Sequence, residues 1–170
     1  FGSDLKFLSD VVKEKISGEV YCLYGPTHAE EVCKDMYSGI VLAGGKGKEG
    51  LQKVIASDSL KVDLTDDLIG VQVAAALKNI LAVFVGVLDG MGLGDNAKAY
   101  IMTRGLQEIK DVGVALGAKE ETFYGLAGIG DMIVTSTSPH SRNRSVGVEV
   151  GKGRKLQEVI DEMRKLYDEL

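Results

Sequence analysis

Residues 73 to 85 read Val-Ala-Ala-Ala-Leu-Lys-Asn-Ile-Leu-Ala-Val-Phe-Val, which sets an ammonium and an amide, Lys78 and Asn79, in the middle of an apolar run at helical spacing. A membrane span is a poor explanation, because the run is short for a bilayer and a central lysine is unfavourable there. In a protein core an unpaired ammonium would lose its proton. Such a lysine either carries its charge to the surface along its stem, pairs with a buried carboxylate, or is tuned by burial for acid–base work near neutral pH. Two further segments carry polar chemistry. Gly125 to Thr135 places Asp131 behind the closely spaced Gly128 and Gly130, where it can cap a helix or hold a partner. Ser138-Pro-His-Ser-Arg-Asn-Arg144 combines a turn, a hydroxyl, a guanidinium and an amide at a helix start. That set suits a phosphate, although a solvated basic face is the more common outcome for such a pair of arginines.

These groups need elements to position them. Residues 4 to 16 repeat apolar positions at helical spacing, Glu19 to Tyr24 is a strand closed by the Gly25-Pro26 turn, and Thr27 is expected to cap a helix reaching Met36. Gly39 to Ala43 and Leu60 to Leu64 read as strands around a helix at Lys48 to Ala56. Gly44-Gly-Lys-Gly-Lys48 resembles a phosphate loop only loosely; it is read as a turn that lacks both the P-loop spacing and a dinucleotide fingerprint. Helices then dominate: Asp66 to Leu88, with two aspartates favourable to the dipole of its first turn, followed by Ala97 to Leu116, Glu120 to Leu126, Asp131 to Thr135, Arg142 to Val150 and Leu156 to Leu170. The expected architecture is therefore the α/β tail of a Rossmann-type sheet over residues 1–64, followed by an all-α domain over 65–170.

Composition narrows the function. The 170 residues are 45% hydrophobic and 26% charged with a net charge of -5, which disfavours nucleic acid or an anionic membrane as the main partner. Two cysteines, Cys22 and Cys33, read as thiols of a reducing compartment, and His28 and His140 stand in no metal-ligand spacing, so no metal is expected. The start Phe1-Gly-Ser-Asp4 has neither a signal sequence nor an initiator Met, which suggests a missing upstream piece.

Several motifs in register give a more specific indication. Tyr24-Gly-Pro-Thr-His-Ala-Glu-Glu-Val32, Ala76-Leu-Lys-Asn79, Gly90-Met-Gly-Leu-Gly-Asp-Asn-Ala-Lys98, Thr103-Arg-Gly-Leu106, Gly125 to Asp131 and Ser141-Arg-Asn-Arg144 together resemble the NAD(P)-dependent glycerol-3-phosphate dehydrogenases, most closely the bacterial and archaeal form. The helical part would then be of the 6-phosphogluconate-dehydrogenase-like kind. The resemblance implies reversible reduction of dihydroxyacetone phosphate to sn-glycerol 3-phosphate with NAD or NADP as cofactor. It implies further a cytoplasmic homodimer serving glycerophospholipid synthesis, without a membrane span. Lys78 would exchange the proton at the C2 oxygen, with Asn79, Asp131 and Thr135 positioning substrate oxygens and the lysine itself. Ser141, Arg142 and Asn143 would hold the phosphate, Arg142 and Ala29 would touch the cofactor, and Gly25 and Thr27 would line the substrate.

The family's pyrophosphate-binding turn, an earlier substrate lysine and the closing helices are not matched, so the chain is expected to be either a fragment or the ordered part of a longer protein, and silent by itself. Cofactor preference is not legible. A 6-phosphogluconate or 3-hydroxyacid dehydrogenase and a non-catalytic dimerisation or phosphometabolite-binding module are the competing readings. The segments Gly125 to Asp131 and Ser141 to Arg144 weigh against the first, and the joint presence of Lys78, Asn79, Asp131, Arg142 and Asn143 against the second.

Overall fold

A computed structural model describes residues 6–168, with side chains through residue 165. The start of the first expected helix, Leu5 included, and the end of the last at Leu170 lie outside the described residues. Three strands come first, β1 (Tyr21–Tyr24), β2 (Ser38–Gly44) and β3 (Leu60–Thr65), and the helices α1 (Leu8–Lys13), α2 (Ala29–Val32) and α3 (Lys48–Ile55) punctuate them. Beyond Thr65 the chain is helical: α4 (Leu68–Gly90), α5 (Gly94–Ala115), α6 (Asp131–Thr137), α7 (Arg142–Gly151) and α8 (Leu156–Asp168). A small sheet followed by a mostly helical region is thus the observed fold.

The sheet order is β1-β2-β3, with β1 antiparallel to β2 and β2 parallel to β3. Alternation along β2 gives it two dry faces. Val41 and Ala43 join Val71 and Ala127 on one side, while Ile40 and Leu42 join Val62 on the other, with Ile55 packed against them.

Three local expectations are corrected. Thr27 does not cap α2; its hydroxyl bonds the carbonyl of Gly25, and His28 occupies the cap position without a side-chain bond. The helix stops after one turn rather than reaching Met36, because Asp35 takes a left-handed φ of 54° and the Met36 N–H returns to the Glu31 carbonyl. The segment expected as a helix from Glu120 to Leu126 is a 3₁₀ turn, Glu120–Tyr124, followed by a π-helical turn, Leu126–Gly130.

The glycine loop between β2 and α3 is a turn in spite of its spacing. Contrary to the expectation from sequence, the dinucleotide spacing is present: Gly45, Gly47 and Gly50 stand as Gly-x-Gly-x-x-Gly, ahead of the parallel β3. A Cβ at Gly45 would meet the Glu19 carboxylate, Gly47 has a φ of +90°, and the Tyr21 hydroxyl donates to the Lys46 carbonyl. The chain's own side chains, one of them anionic, fill the close approach that a pyrophosphate would use.

The described chain forms two compact units, residues 1–78 with 106–134, and residues 79–105 with 135–170. In the first, buried Asp67 caps α4 by accepting the Gly70 N–H, and its other oxygen accepts the Lys119 N–H and the Thr122 hydroxyl. This ties the 3₁₀ turn to the helix start. In the second, α4 and α7 meet backbone to backbone. A Cβ added at Gly86 would lie 2.1 Å from the Arg144 carbonyl oxygen, and one at Gly147 would lie 2.1 Å from that of Val83. Gly90 and Gly151 repeat the contact one turn on, facing Val148 and Val87. Gly147→Ala must therefore push the helices apart, and we expect it to lower stability by about 2 kcal/mol. Gly50→Ala, in α3 with open space around its Cβ, should instead be neutral or gain up to about 1 kcal/mol. Thermal unfolding of the two variants distinguishes them; equal midpoints would remove the close helix crossing from the account.

Helix α4 is long and apolar enough to cross a membrane by length and composition. Its central lysine, however, is engaged by a buried carboxylate of the same unit.

Candidate active site

Two polar groups carry the residues singled out in the sequence, one in each unit. The first is built on Lys78, which is 14% exposed and forms an ion pair with Asp131, itself 4% exposed at the side chain. Of the three readings open for this lysine, pairing with a buried carboxylate is the arrangement found. Asp131 is not a plain cap. It is the first residue of α6, and the π-helical turn before it delivers its carboxylate to Lys78. That turn requires Gly128, since a Cβ there would lie 2.1 Å from the Phe123 carbonyl oxygen. A π turn widens the helix locally and re-aims the residue that follows it.

Tyr24, the last residue of β1, completes this group and was not assigned a role from sequence. Its hydroxyl hydrogen-bonds Asp131, and its ring faces the Lys78 ammonium, 5.1 Å from Nζ to centroid. Burial, followed by the charge and hydrogen bond of Asp131, pushes the phenol far above the ordinary tyrosine range. The only signal available in the sequence is its place immediately before the Gly25-Pro26 turn. Gly25 is half-buried, and a Cβ on it would come 3.0 Å from the Cα of Ile40, so this end of β1 lies tight on β2.

The second group sits at the start of α7. Ser141 is buried and caps the helix, its hydroxyl accepting the Arg144 N–H at 3.3 Å. Asn143 Nδ2 donates to Asn79 Oδ1 at 2.8 Å, so these two expected site residues are brought together. Thr135 is buried in α6, and the Arg142 side chain is exposed. Arg144 is engaged differently. Its Nε donates to Asp89 Oδ2 at 2.9 Å, and Lys98 Nζ meets the other Asp89 oxygen at 2.8 Å. Burial works against the charged Asp89, but the hydrogen bonds and charges of Lys98 and Arg144 outweigh it and hold the carboxyl below its ordinary range. Asp89 thus fixes the start of α7 to α4 and α5. The paired glycines four apart in α4 and α7 were a readable signal for that close packing; the Asp89–Arg144 pairing had none.

An exposed guanidinium at the N-terminus of a ten-residue helix, beside an amide donor, is a donor set that suits a phosphate or nucleotide anion. Ala29, in the first unit, is also exposed. The Gly45–Gly50 loop does not fit a nucleotide's pyrophosphate. A cavity of about 410 Å³ in the first unit, lined by Phe7, Leu8, Cys22, Tyr24 and Leu68 among others, has no charged side chain on its walls and is not where an anion would be held. Among the described residues no group of His, Cys, Asp and Glu is arranged for a metal ion. Both cysteines are free thiols; burial pushes that of Cys22 up, and Cys33 is exposed.

The chain is similar to known proteins in sequence and in fold. Residues 67–169 match the family model described as the C-terminus of NAD-dependent glycerol-3-phosphate dehydrogenase. A glycerol-3-phosphate dehydrogenase [NAD(P)+] of Thermoanaerobacter sp. is 47% identical over 95% of this chain and 49% of its own length. One from Pediococcus pentosaceus is 48% identical over 93% and 48%. The crystal structure of glycerol-3-phosphate dehydrogenase from Coxiella burnetii superposes with a TM-score of 0.89 at 34% identity, covering 93% of this chain and 50% of that one. The chain spans about half the length of the curated relatives it matches.

Proposed function

This chain belongs to the NAD-dependent glycerol-3-phosphate dehydrogenase family, and on that premise we propose that the protein carrying it reduces dihydroxyacetone phosphate reversibly to sn-glycerol 3-phosphate with NADH or NADPH. The observation that carries the reading is the Lys78–Asp131 pair: an ammonium inside an apolar helix, held by a buried carboxylate and still partly open to solvent. In this reading a bound nicotinamide supplies the hydride. Lys78 gives its proton to the C2 oxygen as negative charge develops there, and takes it back in the reverse direction. Asp131 keeps the amine in place through both states. Asn79 and Thr135 orient the substrate oxygens; Ser141, Arg142 and Asn143 hold the phosphate; Gly25, Thr27 and Ala29 line the path from substrate to cofactor, with Arg142 also reaching the cofactor. Residues 1–64 would close the nucleotide-binding sheet and 65–170 form the substrate half of a cytoplasmic homodimer.

A substrate panel on the full-length protein tests this reading. We expect nucleotide-dependent turnover of dihydroxyacetone phosphate with kcat/KM at least about a hundredfold above that for 6-phosphogluconate or a 3-hydroxyacid, each followed in its own direction. Preference for either of the latter would overturn the substrate assignment. Binding of glycerol 3-phosphate without turnover of any of them would leave a phosphometabolite-binding module.

A further inference from the structure

Lys78 and Asp131 account for a proton and its holder, but not for what keeps the carboxylate in place once the proton has left. When Lys78 becomes a neutral amine, Asp131 remains as a charge that is 3% exposed. A buried carboxylate in that state is stabilised by a neutral donor beside the amine. Tyr24 stands in the right place. Its register opposite Val41 in the β1–β2 ladder and the tight turn after it fix its backbone. Its ring packs against the buried cluster of Val41, Ala43, Val71 and Ala127. That leaves the hydroxyl as a polar tip on an apolar anchor, pointed at Asp131.

We propose that Tyr24 is a positioning residue for the Lys78–Asp131 pair, its hydroxyl holding the Asp131 carboxylate through both protonation states of Lys78 and its ring covering one side of the amine. This rests on the reading of Lys78 as the proton donor. The charged and titratable groups around Tyr24 are Asp131, Lys78 and the Cys22 thiol. Burial and the Asp131 charge keep the phenol protonated, so it acts as a lasting donor and takes no proton from the substrate. Without the hydroxyl, the carboxylate beside a neutral Lys78 loses one of its donors, and that state is disfavoured.

The test is Tyr24→Phe in the full-length protein, with folding followed by circular dichroism. Kinetics are measured between about pH 6 and pH 10. We expect kcat to fall about tenfold, KM for dihydroxyacetone phosphate and for the nucleotide to stay within about twofold, and the pH profile of kcat to differ from that of the unmodified protein. A second measurement does not depend on turnover. The Lys78 ammonium signal in nitrogen-15 NMR, identified by its loss in Lys78→Met, should be narrow in the unmodified protein and broadened in Tyr24→Phe. Wild-type turnover and an unmoved pH profile in Tyr24→Phe, with an unchanged ammonium signal, would reduce Tyr24 to a core aromatic and overturn the proposal. Absence of turnover in the unmodified protein, with the ammonium signal still dependent on the hydroxyl, would instead overturn the dehydrogenase reading and leave Tyr24 as the holder of the pair.

Discussion

Lys78→Met is expected to lower kcat for dihydroxyacetone phosphate by at least about a hundredfold while leaving nucleotide affinity nearly unchanged. Methionine keeps the unbranched apolar stem that suits α4 and removes only the ammonium. That change has a second consequence, because Asp131 is buried and loses its counter-charge. Breaking such a pair from one side typically destabilises by about 3 kcal/mol or more. A loss of activity could therefore arise from a loosened fold. The double variant Lys78→Met with Asp131→Asn separates the two causes, since a neutral amide needs no counter-charge. Its melting temperature should return most of the way to that of the unmodified protein, and its kcat should not. Near-normal turnover in the folded double variant would take Lys78 out of the mechanism.

Arg142→Ala is expected to lower kcat/KM for dihydroxyacetone phosphate by about a hundredfold and for unphosphorylated dihydroxyacetone by less than about threefold. The reason lies in the different placement of two neighbouring arginines. Arg144 is held by Asp89, and Arg142 is exposed at the first turn of α7, where the N-terminal N–H groups already favour an anion. A guanidinium fork added there grips a phosphate in two directions. Arg142→Lys should recover only part of the loss, because a single ammonium keeps the charge without the fork. Kinetics on both substrates decide the matter. Equal losses on the two would mean that Arg142 serves the cofactor or the fold rather than the phosphate.

Much of the molecule is legible along the chain. The short continuous apolar run around Val41 and the helical period around Lys78 are local patterns, set by which sides of each element must leave water, and they locate the strands and the long helices to within a few residues. The change from strands to helices at Thr65 is visible for the same reason. The Lys-Asn pair and the Ser-Arg-Asn run stand out because polar groups placed at a helix centre and a helix start are unusual there. Asn79 and Asn143, and Lys78 and Asp131, stand out as candidates by type and motif alone, without knowledge of which meets which.

What sequence could not decide is the pairing of these polar groups, because that depends on packing between segments far apart in the chain. The short α2 ends where Asp35 turns left-handed, a choice made by the local backbone that hydrophobic spacing does not record. The Gly45–Gly50 spacing can serve a phosphate or a tight turn, and only the carboxylate of Glu19 and the hydroxyl of Tyr21 lying against it decide for the turn. Asp67 reads as a charge near a helix start, yet its second oxygen ties down the 3₁₀ turn at Lys119 and Thr122. Tyr24 reads as one more apolar residue at the end of a strand. Its place beside Lys78 and Asp131 exists only because the sheet register and the π-helical turn bring a strand end and a helix start to the same amine.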